Sequence, residues 1–251
     1  MTIFGGFLGG CSPPVNDVWV LSNSTGLTGT PIWTQLFPGG TPPPPRGDHT
    51  GVYDPSTNRM IVFGGQSACS TGGGDTYYPE VWVLTNANGL GGTSTWIQLL
   101  PVGGPPDGFR AHSAVFDPLN NRMTVFGGYN VSVLTNAVWV LSNANGLGGT
   151  PVWTNLIAEG APGSPSPTNF HSAVYDTSSN RMTVYGGNTS PSEFWVLSNA
   201  NGLGGPSTWT QLAPVGGPPG GETYHGAVLD VKQNRMIVFG GVYGGNLWRI
   251  L

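Results

Sequence analysis

At 251 residues the chain could hold one large domain or two ordinary ones, but only 8% of its residues are charged and the formal net charge is −4, against roughly 25% charged in soluble domains. That leaves no basic stripe for nucleic acid or an anionic membrane surface, and no apolar run approaches the roughly 18 residues of a membrane-spanning helix. The 42 glycines and 23 prolines would signal disorder if scattered, but they fall at regularly spaced joints, where they mark turns.

In chain order, the sequence opens on Met-Thr-Ile-Phe-Gly-Gly at 1–6. Nearly the same run returns, preceded by Asn-Arg, at 58–65, 121–128, 180–187 and 234–241. Met1 therefore aligns with Met60, and the sequence begins within a repeat. The run is apolar on both sides of a period-2 strand, which suits a strand buried on both faces. A Trp-containing strand follows each copy: VWVLSN at 18–23, VWVLTN at 81–86, VWVLSN at 138–143, FWVLSN at 194–199 and NLWRIL at 246–251. Next comes a second Trp strand, around Trp33, Trp96, Trp153 and Trp209. A strand led by His49, His112, His171 or His225 then ends in an Asp just before the next Asn-Arg-Met.

Four short strands per unit, recurring every 53 to 63 residues between the first Trp residues, is the pattern of a β-propeller blade. The expected fold is all-β, one propeller domain over 1–251. Its five blades span 1–36, 49–99, 112–156, 171–212 and 225–251, and the first and last are three-stranded. Blade one lacks the His-led inner strand, and blade five lacks the outer Trp strand. Uncovered strand edges invite pairing between chains; the terminal strands are short, and a monomer is expected over a strand-exchanged oligomer.

With these residues in view, the chain resembles the kelch-repeat family over essentially its whole length. The His strand, the hydrophobic strand closed by Gly-Gly and the two aromatic strands recur together and in order. The resemblance implies a kelch-type propeller and that the repeated His is structural. It names no function, because propellers host many unrelated activities. A fold-level relative, the kelch domain of galactose oxidase, holds copper with Tyr and His, one Tyr being bonded to Cys. The only His here are the four repeat copies, so that copper site is not expected, and no cofactor or metal is expected.

Spacing separates frame from variable parts. From Trp to Trp is 14 residues in all four copies, and from His to the Asn of Asn-Arg-Met is 9 in all four, whereas the Gly-Gly aromatic precedes the next Trp by 15, 19, 13, 10 and 9. In an up-and-down blade the two invariant hairpins share one rim. The variable second–third-strand loops share the other with the Pro-rich links between blades. Loops on a rigid scaffold carry function, so the variable rim is the candidate face. Its longest loops, 7–16, 66–79 and 129–137, with the neighbouring links, bring together Phe7, Arg46, Asp48, Asp75, Tyr77, Tyr78, Asp107, Arg110 and Tyr129. Aromatics and Arg are the residues enriched at binding hot spots; relaxed, solvated loops are the plainer alternative.

The repeated features read more simply as structure. Four equivalent His could ring an axis and bind metal, and the Trp series could stack sugars, but a residue required in every blade is explained by packing. The Arg of each Asn-Arg-Met (Arg59, Arg122, Arg181, Arg235) is expected beside the preceding Asp (Asp54, Asp117, Asp176, Asp230) across a tight hairpin. Cys11 and Cys69 occupy equivalent loops of adjacent blades, so they are expected to form a disulfide, with two unrelated thiols as the alternative. Residues 1–20 lack a signal-peptide pattern. Three Asn-x-Ser/Thr sequons (Asn23, Asn130, Asn188) and scarce Lys nonetheless fit an extracellular or cell-surface protein. No Ser-His-Asp order, HExxH or paired-carboxylate set appears. The expected function is a non-catalytic binding propeller for a protein or glycan, with a glycan-binding module and an enzyme using a central pocket as the alternatives. A ligand site repeated in each blade would favour the lectin; a single non-repeated polar cluster would favour a protein-binding face or an enzyme.

Overall fold

A computed structural model of the chain describes residues 1–9, 12–27, 29–68, 76–104, 108–130, 133–189, 192–216, 223–243 and 246–247, and no helix occurs among them. Blade one is the antiparallel sheet β1 (Thr2–Phe7), β2 (Pro14–Ser22) and β3 (Ile32–Leu36). Blade two pairs β4 (Thr50–Asp54), β5 (Arg59–Phe63), β6 (Val81–Thr85) and β7 (Thr95–Leu99) in sequence order. In blade three the short β8 (Phe109–Arg110) precedes β9 (Ser113–Asp117) and β10 (Arg122–Phe126). The pair β11 (Tyr129–Asn130) and β12 (Val133–Leu134) then leads to β13 (Val138–Ser142) and β14 (Val152–Ile157). Strands β9, β10, β13 and β14 make the blade, while β8, β11 and β12 form a separate small sheet. The stretch 129–137, expected as a loop, thus holds an extra hairpin. Blade four is β15 (Ser172–Asp176), β16 (Arg181–Tyr185), β17 (Phe194–Ser198) and β18 (Thr208–Leu212).

Blade five is described only in part. Its described sheet is the pair β19 (Gly226–Asp230) and β20 (Arg235–Phe239). The expected third strand is described only at β22 (Asn246–Leu247), which pairs with β21 (Val242–Tyr243), and residues 248–251 lie outside the described residues. The His-led strands β4, β9, β15 and β19 are the ones through which successive blades approach one another, so they are the inner strands.

The core is not one cluster but a series of cores between blades. One joins Phe4 and Val18 to Met60, Val62, Leu84 and Trp96. The next joins Ile61, Phe63 and Val83 to Met123, Val125, Leu141 and Trp153, and a third joins Val115, Phe126 and Val138 to Met182, Val184 and Leu197. This is why both faces of the Met-x-Val-aromatic strand are apolar: each face packs on a different neighbour. The aromatic before Gly-Gly sits between two rings of the following blade. Phe4 meets His49 and Trp96 (centroids 5.2 and 4.9 Å), Phe63 meets His112 and Trp153 (5.1 and 4.9 Å), and Phe126 meets His171 and Trp209 (5.0 and 4.8 Å). Such edge contacts add to the large area that each aromatic buries.

Gly-Gly follows from the same packing. A Cβ on Gly64 would stand 2.7 Å from His112 Cε1, and one on Gly127 2.8 Å from His171 Cε1. The second glycine faces its own blade's His: a Cβ on Gly65 would stand 2.9 Å from His49 Cβ, and one on Gly128 2.7 Å from His112 Cβ. Its N–H donates to the next blade, Gly65 to the Phe109 carbonyl at 2.7 Å and Gly128 to that of Thr168 at 2.8 Å.

On the invariant rim the expected Asp–Arg pairing is corrected. Asp54 and Arg59 oppose each other in register, but neither they nor their equivalents form an ion pair among the described residues. In the two places where the contact is complete, both reach to the next blade and grip an Asn in its third–fourth turn. Asn145 Nδ2 donates to Asp54 at 2.8 Å, and Arg59 Nη1 donates to the Asn145 carbonyl at 2.9 Å. Within blade three, Asn121 donates to Asn145 Oδ1 at 2.7 Å and accepts from its N–H at 2.9 Å. Blade four repeats the arrangement: Asn201 bonds Asp117 at 2.7 Å, Arg122 at 3.1 Å and Asn180 at 2.7 and 3.0 Å. Asn121 and Asn180 lie at φ 51° and 53°, the left-handed region that Asn tolerates. Burial, the largest single influence on Asp54, would raise its carboxyl, but bonds from Ser56, Thr57 and Asn145 together hold it below its usual range.

Candidate functional site

The repeated histidines are occupied by the frame. His112 Nε2 pairs with Thr50 Oγ1 at 2.7 Å, His171 Nε2 with Ser113 Oγ at 2.8 Å, and His225 Nε2 with Ser172 Oγ at 2.7 Å, so each ring clasps the hydroxyl beside the preceding His. Burial pushes His112 and His171 down to about 3, helped by neighbouring His, and burial with the Arg46 charge pushes His49 down to about 4. These rings are neutral struts. Among the described residues no group of three or more His, Cys, Asp or Glu could hold a metal ion.

Immediately before each His the backbone turns left-handed: Asp48, Ala111, Phe170 and Tyr224 have φ of 55°, 53°, 58° and 59°. This conformation costs a non-glycine residue about 1–2 kcal/mol. It is imposed by a chain of bonds from blade to blade, with Ala111 N–H donating to the Asp48 carbonyl at 2.8 Å, Phe170 to Ala111 at 2.9 Å and Tyr224 to Phe170 at 3.0 Å. Four seats of equal geometry therefore carry an acid, a methyl and two aromatics. Strained backbone of this kind concentrates at functional sites.

Around these seats the rim gathers a cluster that no blade repeats. Arg110 lies 3.6 Å from Asp48 Oδ2, and its guanidinium stands 4.8 Å from the Tyr129 ring centroid and 5.8 Å from that of Tyr77. Gln66 Nε2 donates to Asp48 at 2.8 Å. Burial raises the Asp48 carboxyl, with Arg110 and the Gln66 bond opposing. Tyr224, 60% exposed, stacks on Phe170 at 3.8 Å. Burial and then the Asp48 charge push the Tyr224 phenol up, with Arg110 opposing, so the arc of blades brings this side chain into the field of the Asp48–Arg110 pair.

Of the residues singled out in the sequence, the structure brings together Asp48, Tyr77, Arg110 and Tyr129. Arg46 is buried instead, 0% exposed. It donates to the carbonyls of Pro44 and Gly64 at 3.1 and 2.9 Å and to Glu80 Oε2 at 3.1 Å, and it lies 4.2 Å from the Tyr78 ring. Burial lowers its pKa while Glu80 opposes. Arg46 and Tyr78 thus fix the base of the rim. Phe7 lies against Gly47, where a Cβ would come within 2.1 Å of its ring. Asp75, Asp107, Cys11 and Cys69 lie outside the described residues. Gln66, Phe170 and Tyr224 were missed. The last two stand immediately before a His, as Asp48 does, but Asp48 is singled out in the sequence only as part of a link between blades.

Inner strands clasped by repeated His, Gly-Gly and Trp, carrying unlike residues on one rim, define a kelch-type β-propeller domain. The KLHDC2/KLHL20/DRC7 Kelch-repeats domain matches residues 1–162, and the chain belongs to the kelch-repeat family. It is 29% identical over 138 residues to host cell factor 1 of Rattus norvegicus, 51% of this chain and 6% of that protein. Against multiple epidermal growth factor-like domains protein 8 of Homo sapiens it is 29% identical over 163 residues, 60% of this chain and 6% of the relative. The match spans only a small part of either relative. The solved structure of YjhT superposes with a TM-score of 0.62 at 15% identity, covering 95% of this chain and 71% of that one, which shows the fold.

Proposed function

We propose that the chain is a non-catalytic interaction domain whose partner, a protein segment, binds the variable rim over Asp48, Arg110, Tyr77, Tyr129 and Tyr224. One observation carries this reading: the left-handed seats repeat in backbone but hold Asp48, Ala111, Phe170 and Tyr224, so the rim presents one composite surface rather than a ligand site in each blade. Aromatic area beside a pre-positioned Arg is the mixture found at binding hot spots. A second reading, a glycan ligand, is favoured by the exposed Tyr224 ring backed by Phe170. The proposal includes an extracellular setting in which Cys11 and Cys69 are bonded.

The test pans a displayed peptide library on the immobilised chain, alongside a glycan array. Selected ligands are then titrated against Arg110→Ala and Tyr224→Ala, and against Leu90→Ser and Leu147→Ser on the opposite rim. The rim variants are expected to weaken binding about tenfold or more, as removal of a hot-spot side chain does, and the opposite pair to leave it unchanged. The reverse pattern would place the site on the wrong face.

A further inference from the structure

The link between blades three and four differs from the two links before it, and we infer that it is a strap with two seats: one on the Asn136 side chain, which it occupies here, and one on the outer strand of blade four. In the first two links the outer strand is the seat in use. Gly39 N–H donates to the Ser94 carbonyl and Trp96 N–H to the Gly39 carbonyl, both at 2.9 Å. Val102 N–H donates to the Pro151 carbonyl at 3.1 Å, and Trp153 N–H to the Val102 carbonyl at 2.9 Å. Each link thus adds a short parallel bridge to the outer edge of the next blade. The glycine that follows lies against that edge: a Cβ on Gly40 would stand 2.7 Å from the Trp96 carbonyl oxygen, and one on Gly103 3.0 Å from that of Trp153.

The third link has the same parts and leaves that seat empty. Counted from the preceding Trp, Glu159-Gly160 aligns with Gly39-Gly40 and Val102-Gly103, and Gly160 keeps their left-handed φ, 70° against 78° and 72°. Yet no main-chain bond joins Glu159 to Ser207 or Trp209 among the described residues, and a Cβ on Gly160 would meet nothing within 4 Å. A cleft of about 420 Å³ is lined by Ala158, Ala161 and Pro162 of the link and by Ser207, Thr208 and Trp209 of blade four. The Trp209 indole Nε1 is buried without a partner. Asn136 holds the link away. Its Nδ2 donates to the Pro165 carbonyl at 2.7 Å, as Asn16 Nδ2 does to that of Pro43 at 3.0 Å in blade one, but its Oδ1 also accepts the Gly160 N–H at 2.9 Å. Two extra residues permit this: from the outer Trp to the next His is 18 residues here and 16 in the other three links. Closing the strap forms two main-chain bonds, to Ser207 and Trp209, and gives up the one from Gly160 to Asn136, against the cost of ordering the link on the strand. Ala161 fits the closed seat, because Thr41 takes that position in the first link with its bridge intact. The open position leaves the edge of blade four facing the cleft, and the closed one covers it. The inference does not rest on the partner site proposed above.

Amide hydrogen exchange of the intact chain, read residue by residue in NMR spectra, tests the strap. Trp209 is measured against Thr210, whose N–H alternates to face β17, and Trp153 against Thr154, which faces β13 in the same way. On this scale Trp209 is expected to exchange about tenfold or more faster than Trp153, since its amide is covered only while the strap is closed. Deleting Gly163 and Ser164 gives the link the length of its neighbours, so that it reads Gly-Ala-Pro-Pro where the first has Gly-Thr-Pro-Pro at 40–43. That variant is expected to slow Trp209 by about tenfold or more, and Asn136→Ala to shift it in the same direction; if the deletion variant fails to fold, Asn136→Ala decides. Protection of Trp209 equal to that of Trp153 in the unaltered chain, or exchange that both changes leave unmoved, overturns the inference. Protection of Trp209 that rises with protein concentration identifies a second copy as what covers the edge and overturns the assignment to the strap.

Discussion

Replacing Asn201 by Ala should cost more than the same change at Asn88, although both residues sit at the same place in their turns. Asn201 receives Asn180 Nδ2 at 2.7 Å and Leu203 N–H at 2.9 Å, and it gives its own Nδ2 to the buried Asp117 at 2.7 Å. Asn88 has the two local bonds, from Asn58 and Leu90 at 2.8 Å each, but its Nδ2 has no acceptor among the described residues. Two neutral hydrogen bonds at about 1 kcal/mol each and one to a carboxylate at about 1.5–3 put the loss near 4 kcal/mol for Asn201→Ala and near 2 for Asn88→Ala. Urea unfolding followed by tryptophan fluorescence reads the difference as a shift in midpoint at constant m. Asn201→Asp should be worse than Ala, because it sets a second carboxylate against Asp117. Equal losses at positions 88 and 201 would show that the bond across blades contributes nothing and that the interblade grip is incidental.

Acid should unfold the protein through its histidines. Folded-state values of about 3 for His112 and His171 and about 4 for His49 lie below the ordinary 6.5, so the unfolded chain takes up protons that the folded chain refuses. Stability is full above about pH 6.5 and falls toward pH 4 by about 1.4 kcal/mol per pH unit per histidine; urea midpoints that stay flat between pH 6.5 and 4.5 would refute this. Gly127→Ala should cost well over 2 kcal/mol, since the new methyl meets His171 Cε1 at 2.8 Å at a positive φ, whereas Gly163→Ala, at φ +77° with open space around it, should cost only the backbone term of about 1–2; comparable thermal midpoints would contradict the packing account. Arg46→Ala should destabilise by about 3–5 kcal/mol, because it strips a buried charge and its three acceptors, while Tyr77→Ala at the rim should stay within about 1. Thiol titration of the denatured, unreduced protein should find no reactive thiol if Cys11 and Cys69 are bonded, and two if they are not.

The blade was legible because every one of its defining contacts recurs: the His, Gly-Gly and Trp that pack one blade on the next reappear at fixed spacing. The Asp–Asn grip was not, because its partners are far apart in sequence, 91 residues for Asp54 and Asn145. Nearness along the chain pointed instead to Arg59. On the rim, loop length exposed Tyr77 and Tyr129, and the link before His112 exposed Arg110. Arg46 looked like a surface charge, and only the fold reveals the Gly64 carbonyl and Glu80 that enclose it. Phe170 and Tyr224 were hidden by position: next to a strand residue they read as strand, and a left-handed backbone leaves no mark in the sequence when the residue is neither Gly nor Asn.

The left-handed seats separate two tasks that most surfaces combine. The bonds that hold them run between main-chain groups alone, from Ala111 to Asp48, Phe170 to Ala111 and Tyr224 to Phe170, so the conformation is set by the neighbouring blades and not by what the residue carries. An exchange of Asp48 for an aromatic, or of Phe170 for an acid, would change the chemistry the rim presents and remove the side-chain contacts of Asp48 with Gln66 and Arg110 or the Phe170–Tyr224 stack, but leave these main-chain bonds between blades in place. The side chain on each seat can thus vary while the main-chain bonds that join the seats stay the same.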